Sequence, residues 1–111
     1  MSALFVINPI AGKGRKEKLF EVLRRGGHRA VLTEYAGQAE LIARDAAEDV
    51  VVAVGGDGTV NEVARGLLGS DKILGILPCG SGDGLARCLG IGHNLSEAIR
   101  IIENGKTAPL D

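Results

Sequence analysis

Residues Val50 to Val54 are five apolar residues in succession, and they run straight into Gly55-Gly56-Asp57-Gly58-Thr59-Val60-Asn61-Glu62-Val63. A short β-branched run without polar alternation suits a strand covered on both faces, as in a parallel sheet. Gly55 and Gly56 can take backbone angles closed to other residues and let the main chain approach a ligand closely. Beyond the turn, Val60, Val63, Ala64, Leu67 and Leu68 fall at helical spacing and form one apolar face. The leading N–H groups of such a helix have no internal partner, and the helix dipole adds partial positive charge, so a phosphate fits there. Asp57 would repel a bare phosphate and needs a reason. It could hold Mg²⁺ against the phosphates or accept a proton from an attacking hydroxyl. An isolated Asp-Gly is more simply a turn or N-cap. The whole stretch from Gly55 to Val63 favours the functional reading, and with it a nucleotide-using phosphotransferase.

Strand and helix patterns alternate along the chain. Ala3–Ile7 is an apolar run that predicts the first strand, followed by a loop over Asn8–Gly14. Arg15–Arg25 predicts a helix with Leu19, Phe20, Val22 and Leu23 facing inward, ended by Gly26-Gly27. A second strand over Ala30–Thr33 and an alanine-rich helix over Gln38–Glu48 precede the Val50–Val54 strand and its helix, Gly58–Leu68. Ile73–Leu77 is a fourth strand, stopped by Pro78, and then a glycine loop and a short helix over Asp83–Cys88 are expected. A last helix opens at Asn94 or Ser96 and runs to Asn104, where Gly105 closes it, and the residues from Lys106 read as entry into another strand. The expected fold class is α/β, a three-layer parallel sheet with helices on both faces. Ligands of such sheets sit outside the carboxyl ends of the strands. The loops Asn8–Gly14, Gly55–Gly58 and Pro78–Gly84 all leave such ends and would gather on one edge.

A chain of 111 residues suffices for one domain with a real core. Aromatic residues are only 3% with no Trp, and the net charge is −1, which argues against base-stacking nucleic-acid modules and gives no electrostatic footprint for an acidic membrane. Cys79 and Cys88 are too few for a disulfide framework and lack metal-ligand spacing. No signal peptide or membrane span is visible. The expectation is a cytoplasmic protein, with a homodimer left open. Gly12-Lys13-Gly14 falls short of the P-loop pattern, and in Gly80-Ser81-Gly82 the third glycine of the dinucleotide fingerprint is replaced by Leu85. Lys13, Arg15 and Lys16 at a helix start oppose the dipole unless an anion is present, although a solvated basic face is the commoner explanation. His28 and His93 fall in turns and read as exposed.

Taken together, GGDGTVNEV, NPIAGKG near the start and ILPCGSGDGLAR later are similar to the catalytic N-terminal domain of the diacylglycerol kinase and sphingosine kinase superfamily of lipid kinases. The order and spacing of the three blocks match from Leu4 to Asp111. GGDGT alone also occurs in NAD kinases and related phosphofructokinases, while Val60-Asn61-Glu62-Val63 and Asn8-Pro9 favour lipid kinases. The resemblance implies an NAD kinase/diacylglycerol kinase-like fold and ATP- and Mg²⁺-dependent phosphorylation of a lipid hydroxyl, the lipid being met peripherally at a membrane surface. Carried over by position, Asn8, Pro9 and Gly12 belong to the first nucleotide loop. Thr33 matches a nucleotide-contacting threonine. Gly55, Gly56, Asp57, Gly58, Thr59, Asn61 and Glu62 wrap the phosphates, and Gly80 and Ser81 complete the set. Asp57 matches the motif carboxylate, for which a general-base or metal-organising role is implied.

Three positions depart from the family pattern. Asp83 replaces an Asn, Gly84 replaces a carboxylate that helps organise Mg²⁺, and Gln38 stands where a His is frequent. The metal ligands are therefore not assigned. The family also continues into a β-rich domain that shapes the lipid pocket, so residues 1–111 are expected to be one nucleotide-binding domain of a longer protein, with little activity alone. Two other readings remain open: an NAD kinase-like phosphotransferase, and a nucleotide-binding module without catalysis.

Overall fold

The computed structural model describes residues 3–9, 15–77, 100–103 and 106–109. Among the described residues there are nine elements, in chain order β1 (Ala3–Ile7), α1 (Arg15–Arg25), β2 (Arg29–Leu32), α2 (Gln38–Asp45), β3 (Val50–Val54), α3 (Asp57–Gly66), β4 (Ile73–Leu77), β5 (Arg100–Glu103) and β6 (Lys106–Pro109). They form one six-stranded sheet in the order β2-β1-β3-β4-β5-β6. β1 to β4 are mutually parallel, with Phe5 opposite Ala30 on one side and opposite Val52 on the other.

The helices lie on both faces of this parallel part, as expected, and the alternation of side chains along each strand explains how. Phe5, Ile7, Val50, Val52, Val54 and Leu77 point to one face and pack against Leu19 and Leu23 of α1. Leu4, Val6, Val51 and Ala53 point to the other and pack against Ala39 and Ala43 of α2, Val63 of α3 and Leu67, the C-cap of α3. β3 has neighbours on both edges and helices on both faces, so all five of its residues are buried. That is why its sequence shows no polar alternation.

Two boundaries differ from expectation in ways that matter. α2 stops at Asp45 because Ala46 turns extended, rather than running to Glu48. α3 begins at Asp57, with Gly56 as its N-cap, rather than at Gly58.

The helix expected to reach Asn104 is overturned over Arg100–Glu103. That segment is strand β5, antiparallel to β4, and β6 returns antiparallel to it. Glu103 pairs with Lys106 across the two strands, and the sequence between them is Asn104-Gly105, outside the described residues. Asn-Gly between β-capable runs is a strong hairpin signal, and it outweighs the reading of Gly105 as a helix stop. Pro109 is compatible with β6 because that strand is at the sheet edge. The expected helix Asp83–Cys88 lies outside the described residues.

Candidate nucleotide site

The carboxyl ends of three strands are stitched together by backbone hydrogen bonds. The Asn8 N–H donates to the Val54 carbonyl at 3.5 Å, and the Thr33 N–H donates to the Ile7 carbonyl at 2.8 Å. The buried Thr33 hydroxyl donates to that same Ile7 carbonyl at 3.4 Å. Asn8, Thr33 and Gly55 therefore leave the sheet side by side, each as the first residue past its strand.

The turn after β3 divides its glycines into different tasks. Gly55 is buried with φ +151°, a conformation side chains rarely adopt. Gly56 has φ −89°, which any residue accepts, so the expectation that both glycines need special angles holds for Gly55 alone. What distinguishes Gly56 and Gly58 is space: a Cβ at either position meets nothing within 4 Å. Asp57 is the first residue of α3 and is exposed; the N-cap is Gly56, so Asp57 is not a capping residue. The first intrahelical bond from this end is Val60 N–H to the Gly56 carbonyl, at 3.2 Å. The N–H groups of Asp57, Gly58 and Thr59 precede it, which makes this an end suited to an anion.

A cavity of about 80 Å³ lies beside this turn, lined by Asn8, Thr33, Tyr35, Ala36, Ala39, Thr59 and Glu62. It brings together four of the expected residues, Asn8, Thr33, Thr59 and Glu62. Gly56, Asp57, Gly58 and Asn61 are exposed on the turn and first turns of α3, and Pro9 is half-buried at the start of its loop. Gly12, Gly80 and Ser81 lie outside the described residues. The cavity is well below the roughly 300–1,000 Å³ of a small-molecule site, so it accommodates a part of a ligand. A larger hollow of about 580 Å³ runs along β2 and α2, but none of the expected nucleotide residues line it. Tyr35 borders both.

Tyr35, Ala36 and Ala39 were not expected at the site. They enter it through the turn between β2 and α2, which also leaves a strand carboxyl end. Its one glycine, Gly37, has φ +91° and is the N-cap of α2. Gln38, in the position where a His is frequent, folds its Oε1 back to accept from the Glu34 N–H and closes the turn. Glu62, expected to wrap phosphate, instead accepts the Gly37 N–H through Oε1 at 3.1 Å.

Helices α2 and α3 run in the same direction, so both N-termini face this edge. They approach closely at Gly66, where a Cβ would lie 2.3 Å from the Glu40 carbonyl oxygen and 2.8 Å from the Ala43 Cβ. At the same level, the Glu40 carboxylate accepts from Arg65 Nε at 3.0 Å and from Arg44 Nη2 at 2.9 Å. The hydrogen bond from Arg65, with the charges of Arg65 and Arg44, holds the Glu40 carboxyl below its ordinary value against the opposing effect of partial burial. Among the described residues no group of three or more His, Cys, Asp or Glu is placed to hold a metal, and no helix is long and apolar enough to cross a membrane.

A parallel sheet with a glycine turn at the head of a helix gives this edge the means to seat a phosphate. The chain belongs to the diacylglycerol kinase catalytic domain family, whose pattern it matches over residues 2–111. It is 36% identical to a diacylglycerol kinase of Bacillus subtilis, over 98% of this chain and 40% of that protein. It is 34% identical to sphingoid long-chain bases kinase 1 of Arabidopsis thaliana, over 95% of this chain and 16% of that one. The crystal structure of a diacylglycerol kinase from Bacillus anthracis strain Sterne superposes with a TM-score of 0.60 at 28% identity, over 87% of this chain and 39% of that one. The family is one of lipid kinases, and this chain spans less than half the length of these relatives.

Proposed function

We propose that these residues form the ATP-binding half of a lipid kinase, which transfers the γ-phosphoryl group of ATP to a lipid hydroxyl. The observation that carries this reading is the meeting of Asn8, Thr33, Thr59 and Glu62 around one cavity beside the open first turn of α3. Family membership supplies the reaction class. The lipid would be met at a membrane surface.

In this reading the phosphates lie over Gly56 and Gly58, in the space that side chains there would fill. The free N–H groups of Asp57 to Thr59 point their partial charge at the phosphate oxygens. Mg²⁺ fits such a place, since it is commonly held by one or two carboxylates together with substrate phosphates. Asp57 is the carboxylate available to it on the exposed turn. When bound, the ion would neutralise phosphate charge. The lipid hydroxyl oxygen attacks the γ-phosphorus, the bond to the bridging oxygen breaks, and ADP leaves with that electron pair. Asp57 is the candidate acceptor of the hydroxyl proton. Most of the rate would come from positioning and charge neutralisation. We assign the acceptor pocket to a second, β-rich domain following this one, which agrees with the share of its relatives that the chain spans.

The test presents the full-length protein with labelled ATP and either a panel of lipid alcohols in mixed micelles or NAD. Label on lipid in wild type, lost by at least about a hundredfold in Asp57→Asn, supports the reading. Label on NAD alone would replace the lipid acceptor with a soluble one, and undiminished turnover in Asp57→Asn would remove Asp57 from the chemistry.

A further inference from the structure

Glu62 presents a problem if its task is to surround a phosphate, because a carboxylate repels one. The structure gives it a different partner. α2 begins at Gly37, which has no side chain with which to cap its own helix, and no side-chain cap bond is made there. The Gly37 N–H is satisfied from another helix, by Glu62 Oε1 at 3.1 Å. A negative group at this place also suits the positive end of the α2 dipole. The contact has a geometric cause. Thr59, Val63 and Gly66 are buried on the face of α3 turned toward α2, and at Gly66 the two backbones nearly touch. Glu62 lies between them along that face, and the parallel course of the helices sets it opposite the start of α2.

We infer that Glu62 is a positioning residue: by capping α2 at Gly37 it fixes the Thr33–Gly37 turn, with Tyr35 and Ala36, as one wall of the nucleotide cavity. This rests on the kinase reading above. The link joins directly two segments of the site that the sheet joins only through β1. One is the glycine turn, continuous with α3. The other is the turn after β2, held otherwise by the Thr33–Ile7 bonds and the Gln38–Glu34 bond. Without Glu62 the second wall loses its direct hydrogen bond to α3 at the site, and the seam between Glu40 and Arg65 holds α2 only further along, so ATP must order the turn on binding.

The test uses the full-length protein and the variants Glu62→Ala and Glu62→Gln. Amide hydrogen exchange in the peptide spanning Gly37 is followed without nucleotide, and steady-state kinetics are measured over ATP concentration. Glu62→Ala is expected to speed exchange at Gly37 and raise KM for ATP by about tenfold with kcat little changed. Glu62→Gln retains an acceptor and is expected to stay within about threefold of wild type on both counts. It also serves as the informative variant should Glu62→Ala fail to fold. Wild-type exchange at Gly37 in Glu62→Ala, or a fall in kcat with KM unchanged, would overturn the positioning role and leave the kinase reading intact. Failure of the wild-type protein to bind ATP would overturn the kinase reading itself.

Discussion

Gly56 and Gly55 are adjacent in the chain and answer to different constraints. Gly55 is held by its backbone angle, whereas Gly56 is held by the open space above it. Gly56→Ala should therefore leave the thermal unfolding midpoint within about 2 °C of wild type, since the added methyl meets nothing and exposed substitutions of this kind cost little. If the phosphates lie there as proposed, the same change in the full-length protein should raise KM for ATP severalfold by filling that space. An unaltered KM would place the phosphates elsewhere. At the opposite end of the sheet Glu48 is buried, with Oε2 accepting from Arg29 Nη1 at 2.7 Å and Oε1 without a hydrogen-bond partner among the described residues. Arg29→Ala should destabilise by about 1–2 kcal/mol in urea unfolding. That is below the cost of breaking a fully buried pair, because 69% of the Arg29 side chain is solvent-exposed. Adding Glu48→Gln should recover part of the loss by removing the stranded charge. No recovery would mean that Arg29 acts through packing alone.

Among the elements, those with their own periodic signal were legible. β1, β3, β4 and α1 have the expected bounds because each carries an uninterrupted apolar run or face. What sequence reading missed depends on contacts between distant residues. The wall from Tyr35 to Ala39 joins the site through Glu62, twenty-five positions from Gly37, and no local pattern announces that bond. The β5–β6 hairpin did announce itself, in Asn104-Gly105, but the same glycine also reads as a helix stop. The α2–α3 seam is equally silent in sequence: Gly66 looks like a weak point in a helix and is instead where a backbone carbonyl passes. Gly66→Ala would gain up to about 1 kcal/mol of helix propensity. We nevertheless expect a net loss of about 1–3 kcal/mol by denaturant titration, because the obstacle at 2.3 Å is main chain that cannot rotate away. A stabilised Gly66→Ala protein would show that the seam yields.

For the molecule as a whole, acid should loosen the seam. The Glu40 carboxyl is depressed below its ordinary value of 4.5, so its contribution is present above that pH and is lost as pH falls through the folded-state value. Glu40→Gln should therefore flatten the loss of stability in the pH range below 4.5, and high salt should do the same more weakly because the pair is solvent-accessible. Identical acid profiles for the two proteins would exclude Glu40 as a source of the sensitivity. Every residue placed at the nucleotide site belongs to a carboxyl-edge loop or to the first turns of a helix that follows one, and this much was foreseeable from strand and helix alternation alone. The identity of the acceptor was not legible, because nothing on a nucleotide loop encodes the shape of a lipid.

β3 is enclosed above, below and on both sides. Its amides can meet solvent only when the domain opens globally, so they should be among the last in the chain to take up deuterium. Gly55 is joined to the end of that strand without an intervening residue. The turn proposed to grip phosphate is thus anchored in the slowest-opening part of the molecule, while its other wall follows the outer strand β2 and is held by the Thr33–Ile7, Gln38–Glu34 and Glu62–Gly37 bonds. Measured over time, the site should have one side that keeps its shape for as long as the protein is folded and another that is renewed far more often.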